Sequence, residues 1–324
     1  MNRLLIKPAN FILAVYSYLR SSYSGNPTVA GMPVFIGVEL TNNCNLQCPE
    51  CSSGSGQMQR ERGFMDIEVF NKIITELGPY VFNINLYFQG EPMLHPSFFS
   101  FLEKARSIHT IVSTNGHFLS VENAEKIVKS GLSQLIISLD GIDQESYSAY
   151  RVDGCVNTVI EGIKNISDAI EKFNSSLKVK IQFLVHRLNE HQIPQIREFA
   201  KKLKVRLRLK SMQIINNEDF VKWLPLNERF RRYKLINGEY VLKNSLPDRC
   251  VRLWLNPVVT WNGKVIPCCF DKDAEHVMGD LNNDSFREIW DGPRYRIFRK
   301  NILSERHTIE ICRNCTSGLR GVKY

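Results

Sequence analysis

The chain has 324 residues, 43% of them hydrophobic and 23% charged, a make-up that excludes a small disulfide-stapled scaffold, a disordered tail and a membrane-embedded bundle. Its net charge of +9 favours anionic partners without choosing among nucleic acid, phospholipid, nucleotide and acidic metabolite. Nine cysteines, bunched apart from Cys155, read as metal or cluster ligands in a reducing, cytoplasmic compartment rather than as a disulfide framework.

Residues 1–30 are expected to form an N-terminal helical segment, with one helix over 4–20 that Pro8 breaks early. Its apolar run, Phe11 to Leu19, is too short to span a bilayer, which takes about 20 residues. Arg3, Lys7 and Arg20 flank that run, so the helix either docks on the main domain or lies on an anionic membrane surface. From residue 33 onward, β-rich runs alternate with helical periodicity. The predicted strands are Val34 to Leu40, Val81 to Phe88, Thr110 to Ser113, Gln134 to Leu139, Val179 to Val185 and Val205 to Met212. Between them Asp66 caps a helix that stops at Gly78, and Val156, Val159, Ile163 and Ile166 mark another. Six strand-helix units mean an α/β fold with a parallel sheet, either doubly wound or an incomplete barrel. Residues 216–249 lose the alternation and read as a bridging segment, and 250–324 as a small cysteine-bearing domain.

Cys44, Cys48 and Cys51 follow the first strand as C-x3-C-x2-C. Three thiolates on one loop leave a tetrahedral zinc site incomplete. They can hold a [4Fe-4S] cube with one iron open to a ligand, and the C-terminal end of a parallel strand is where such folds place active sites. The segments that follow extend the pattern: Gln89-Gly90-Glu91-Pro92 after strand two, Ser113-Thr114-Asn115-Gly116 after strand three, Ser138-Leu139-Asp140-Gly141 after strand four, and Arg151. Over roughly residues 31–215 this ordered set resembles the radical S-adenosylmethionine (radical SAM) superfamily.

The resemblance implies a partial (β/α)6 TIM-type barrel. It also implies that Gly90, Glu91 and Pro92 receive the amino group of SAM, while Ser113, Asn115, Ser138, Asp140 and Arg151 contact its ribose and carboxylate. Gln89 stands where the family has a first glycine, and Glu50 where an aromatic residue often lies beside the adenine. Cys250, Gly263, Cys268 and Cys312-x2-Cys315 resemble a SPASM domain, and their four thiolates match its shortened "twitch" version, which holds one fully ligated auxiliary [4Fe-4S] cluster. A four-cysteine zinc site would use the same residues. Gly263 reads as a hairpin turn that returns Cys268 toward Cys250. Cys269 and Cys155 are expected in packing roles.

The implied reaction uses two [4Fe-4S] clusters, SAM and an electron donor such as flavodoxin or ferredoxin. SAM is cleaved reductively to a 5′-deoxyadenosyl radical, which takes a hydrogen atom from the substrate. The auxiliary cluster would act as an electron acceptor, consistent with an oxidation. The expected substrate is an anionic small molecule such as a sugar, aminocyclitol or lipid headgroup, and the alternative is a ribosomal peptide or protein. His95, His117, His186 and His191 fall near strand ends, where a site could use them. Arg229 to Lys234 and Arg294 to Lys300 interleave bases with aromatics, a pattern possible for nucleic acid. A zinc-dependent nucleic-acid-binding protein would leave the Gly-Glu-Pro and Thr-Asn-Gly segments unexplained, so nucleic acid is not the expected partner.

Overall fold

The structure, a computed structural model, describes residues 3–317, with side chains from Leu5. The elements alternate as the periodicity requires. After helix α1 (Arg3–Ser24) come β1 (Phe35–Val38), α2 (Ile67–Leu77), β2 (Asn83–Asn85), α3 (Phe98–Lys104), β3 (His109–Thr114) and α4 (Val121–Lys129). Then follow β4 (Gln134–Ser138), α5 (Gln144–Ser148), α6 (Val156–Lys172), β5 (Lys178–Val185), α7 (Ile193–Lys202) and β6 (Arg206–Ser211). Asp66 does cap α2, its carboxylate accepting from the Glu68 amide, and Gly78 closes the helix.

The remaining elements are α8 (Phe220–Trp223), β7 (Tyr233–Ile236), β8 (Glu239–Leu242), α9 (Arg252–Leu255), β9 (Val258–Val259), β10 (Lys264–Ile266), β11 (Gly279–Asp280), α10 (Phe286–Trp290), α11 (Pro293–Glu305) and α12 (Glu310–Arg313).

The contacts divide the chain into two compact units. In the unit built from residues 3–43, 59–110 and 246–317, β1 pairs in parallel with both β2 and β9, and β9, β10 and β11 form an antiparallel run. Gly263, at φ +81°, makes the expected turn between β9 and β10. In the unit built from residues 44–58 and 111–245, β3, β4, β5 and β6 pair in parallel in chain order.

The bridging segment in this second unit holds an element that periodicity missed. Asn237 and Gly238, at φ +51° and +84°, turn the β7–β8 hairpin. Two successive positive φ angles make the primed turn that Asn-Gly favours.

Helix α1 differs from expectation in one way. It runs unbroken through Pro8, because the missing N–H costs only the bond to Leu4, beside the helix start. Its packed face is the polar one. Asn10 accepts from the Met32 amide and donates to its carbonyl, Ser17 accepts from the Ala30 amide, and Ser21 accepts from the Thr28 amide. Among the described residues no helix is long and apolar enough to cross a membrane.

Candidate active site

The loop carrying Cys44, Cys48 and Cys51 packs in its unit against Leu46, Tyr150, Met212, Ile214 and Trp223. Cys48 is the deepest of the three, at 4% exposure. Burial pushes its thiol up to about 12, opposed by the Arg151 guanidinium, whose Nη1 lies 3.8 Å from Cys48 Sγ. Burial thus disfavours the thiolate and the fixed guanidinium offsets part of that cost, a setting suited to binding a further positive centre. Gly54 permits the tight loop, because a Cβ there would meet the Cys48 amide at 2.5 Å.

Arg151 is itself held. Its Nε donates to Asp140 Oδ2 at 2.6 Å, and the other carboxylate oxygen of Asp140 accepts from the Leu184 amide at 2.6 Å. Both Asp140 oxygens are therefore engaged within the protein, and the acid orients the cation beside Cys48. Asp140→Asn keeps the shape but removes the charge. It should cost about 3 kcal/mol in anaerobic equilibrium denaturation, the lower end of the range for breaking a buried pair, since Arg151 keeps 15% of its side chain exposed. A loss below about 1 kcal/mol would place the pair with ordinary surface bridges.

Glu50, buried between Cys48 and Cys51, accepts a short hydrogen bond from the Ile215 amide. Burial, aided by Asp219, pushes its carboxyl up to about 7. Ser113 and Ser138 lie on β3 and β4, and Asn115 Nδ2 donates to Asn45 Oδ1 on the cysteine loop at 2.7 Å.

Gly90, Glu91 and Pro92 belong to the first unit. Gly90 has φ +73°, and a Cβ there would meet the carbonyl oxygens of Thr41 and Asn43 at 2.6 Å, so the position admits only glycine. The Glu91 amide donates to Asn43 O, beside Cys44, and Glu91 caps the short turn begun by Pro92.

Also in the first unit, Cys250, Cys268, Cys312 and Cys315 are all buried. Cys268 is raised by burial and then by the charges of Cys269, Cys250 and Cys315, which places these thiols together. Two arginines that sequence spacing did not single out serve this group. Arg306, 1% exposed, points Nη2 at Cys315 Sγ at 3.6 Å while donating to the carbonyls of Arg249 and Ser317. Arg252 Nη1 lies 3.5 Å from Cys269 Sγ. Among the described residues no three His, Cys, Asp or Glu side chains are gathered closely enough for one metal ion.

Several expectations are corrected. Cys155 is exposed and caps α6, its amide donating to His117 Nε2, because the apolar face of α6 begins one residue later at Val156. Cys269 is exposed beside Arg252 rather than packed. His95 bonds to Met65 O and to the Ser97 amide, as an internal brace. His186, fully buried at the end of β5 between Tyr150 and Trp223, is pushed down to about 3 by burial and is a neutral imidazole. The basic runs divide: Arg231 and Arg232 donate to Pro225 O and Ser211 O and the buried Arg299 to Leu253 O and Trp290 O, while Arg229, Lys234, Arg294, Arg296 and Lys300 are exposed.

Comparison with known proteins places residues 38–200 in the radical SAM superfamily model and residues 250–316 in the SPASM iron-sulfur cluster-binding domain model. Mycofactocin maturase MftC of Mycobacterium tuberculosis (strain H37Rv) is 31% identical over 180 residues, covering 55% of this chain and 44% of that protein. The chain thus spans under half of that relative's length. The tungsten-containing aldehyde ferredoxin oxidoreductase cofactor-modifying protein of Pyrococcus furiosus is 22% identical over 316 residues, covering 87% of each chain. The crystal structure of Streptococcus suis SuiB bound to S-adenosylmethionine shares the fold, with TM-score 0.63 and 13% identity over 93% of this chain and 75% of that one.

Proposed function

The chain belongs to the radical SAM superfamily and carries a SPASM domain behind its radical SAM region, and on that premise we propose that it is a maturase that modifies a peptide or protein. As a member of the family it is an enzyme that uses SAM and a [4Fe-4S] cluster, with further iron-sulfur ligation in the SPASM domain. When bound, these groups supply reductive cleavage of SAM and removal of hydrogen from an unactivated C–H bond.

The observation that carries the reading is the pair of separate thiol sets: a loop triplet with Cys48 buried against the Arg151 guanidinium and Cys44 and Cys51 half-buried, and a buried C-terminal set of four beside Arg252 and Arg306. Cys44, Cys48 and Cys51 would hold the SAM cluster. Arg151, fixed by Asp140, offsets the thiolate charge, and the depth of Cys48 keeps water from it. In the same unit as the cysteine loop, Ser113, Asn115 and Ser138 would receive SAM; in the other unit the Gly90-Glu91-Pro92 turn matches the family's SAM-binding motif in sequence. Cys250, Cys268, Cys312 and Cys315 would hold the auxiliary cluster, whose charge Arg252 and Arg306 offset. Four protein ligands would leave that cluster no open position for substrate, and it would supply a place for an electron to go during a net oxidation. The reductant would be a flavodoxin or ferredoxin.

A peptide or protein substrate is supported by the maturase relative, whereas the name of the cofactor-modifying relative favours tailoring of a cofactor. The test is co-expression with each short open reading frame beside its gene, followed by mass spectrometry. Loss of hydrogen from one encoded peptide is the expected result. Unaltered peptides alongside a changed sugar or lipid fraction would transfer the assignment to a small molecule.

A further inference from the structure

Resting on that reading, we infer that the substrate presents an acidic segment that lies extended along β5 and β6. Register places Lys178, Lys180, Gln182 and Leu184 on one face of β5, beside Arg206, Arg208 and Lys210 of β6. The alternate residues Val179, Ile181, Phe183 and Val185 are buried on the opposite face. The same face of β3 and β4 offers Ile111, Ser113, Gln134, Ile136 and Ser138, with no carboxylate before Asp140, which Arg151 already engages. Lys180 lies within reach of the charges of Arg208, Arg206 and Lys178, and burial and then those charges push its amine below its usual range.

This face also leads to the cysteine loop, because Leu184 and, two residues beyond Lys210, Met212 pack in the same core as Cys44, Cys48 and Cys51. Same-face neighbours along a strand are about 7 Å apart, which matches alternate side chains of an extended peptide, and Arg206 to Lys210 spans about 13 Å, more than one phosphate covers. An acidic peptide with alternating carboxylates fits that spacing.

The test is fluorescence anisotropy on the reconstituted full chain with labelled Glu-Gly and Gln-Gly repeat peptides. The Glu-Gly peptide should bind in a salt-sensitive way and the Gln-Gly peptide should not. Lys180→Gln with Arg206→Gln and Arg208→Gln should weaken binding at least about tenfold, while Arg206→Lys with Arg208→Lys should stay within about threefold, the charge being kept. Equal binding by the neutralised variant, no preference for Glu-Gly, or binding of pyrophosphate alone would overturn the inference. The last two results would leave the cations as an edge-strand guard and as a phosphate site, respectively. An acidic peptide that binds but is never modified would instead sink the maturase reading.

A second observation, independent of the first, concerns α1. From it we propose that α1 lies on an anionic phospholipid surface. Leu5, Ile12, Tyr16, Leu19 and Tyr23 are 60%, 67%, 50%, 58% and 96% exposed. At 3.6 residues per turn they fall within about 60° of one another, opposite the packed Asn10, Ala14, Ser17 and Ser21. The helix holds no Asp or Glu. The exposed Arg20 borders the stripe, whereas the half-buried Lys7 falls on the packed side, and Lys300 joins the C-terminal end of the helix by donating to Gly25 O. The side chain of Arg3 lies outside the described residues. An outward apolar stripe with Arg20 at its border and no acid on the helix is complementary to a bilayer interface with anionic headgroups.

Reconstituted protein should sediment with phosphatidylcholine vesicles containing phosphatidylglycerol, and less with phosphatidylcholine alone. Ile12→Ser with Tyr16→Ser and Leu19→Ser, all on the exposed stripe, should reduce binding at least about tenfold, and Arg20→Gln should lower its salt sensitivity. Unchanged binding by the serine variant would overturn the proposal. So would an absence of vesicle binding together with a dimer in solution that the same variant dissolves, which would identify a second copy as the occupant.

Discussion

Cys48→Ala is expected to reduce formation of 5′-deoxyadenosine from SAM, under reducing anaerobic conditions, to the level of a blank, and Cys44→Ala and Cys51→Ala should do the same. The three thiols occupy one loop, Cys48 buried and Cys44 and Cys51 half-buried, and the other cysteine of their unit, Cys155, is exposed at the start of α6. Removing Cys48 also leaves the Arg151 guanidinium, paired with Asp140, without the thiolate it faces at 3.8 Å. Cys155→Ala should retain full SAM cleavage. Cleavage that survives loss of any one of the three loop thiols would contradict the assignment of the site.

Cys268→Ala should have a large effect of a different kind. Its thiol is buried with Cys250 and Cys315 in the other unit, so SAM cleavage should persist while modified substrate falls to a small fraction of the wild-type yield. The auxiliary thiols also tie together short elements with little core of their own, α9, β9, β10 and α12, so a weakened fold could imitate this outcome. Iron content and uncoupled 5′-deoxyadenosine measured in the same sample separate the two cases. A normal product yield from a variant shown to lack the auxiliary iron would rule out electron transfer and leave a structural role.

The strand and helix alternation was legible because apolar side chains repeat every two residues in β5 and at helical spacing in α2 and α6, each with its cap or stop in sequence. The cysteine sets were legible because their ligands cluster along the chain. What the sequence hid depends on tertiary contact. Arg252 and Arg306 carry no spacing signal, since one sits two residues after Cys250 and the other six before Cys312, and only folding brings them to the thiols. The inward packing of the polar face of α1 was hidden because its partner surface, residues 28–32, offers backbone groups to Asn10, Ser17 and Ser21. The cationic face of β5 and β6 emerges only from register, which aligns bases that are scattered in sequence. The β7–β8 hairpin was readable, since Asn237-Gly238 between apolar runs is a direct turn signal, but the loss of helical alternation around it masked it.

The most direct measurement is metal analysis with Mössbauer spectroscopy on anaerobically reconstituted full chain. Two complete and separate thiol sets predict about eight irons per chain, as two [4Fe-4S] clusters, falling to about four in Cys268→Ala with the SAM-cleaving cluster retained. About four irons with one zinc in the wild type would contradict the account, because the C-terminal thiols would then hold a structural ion and could not pass electrons.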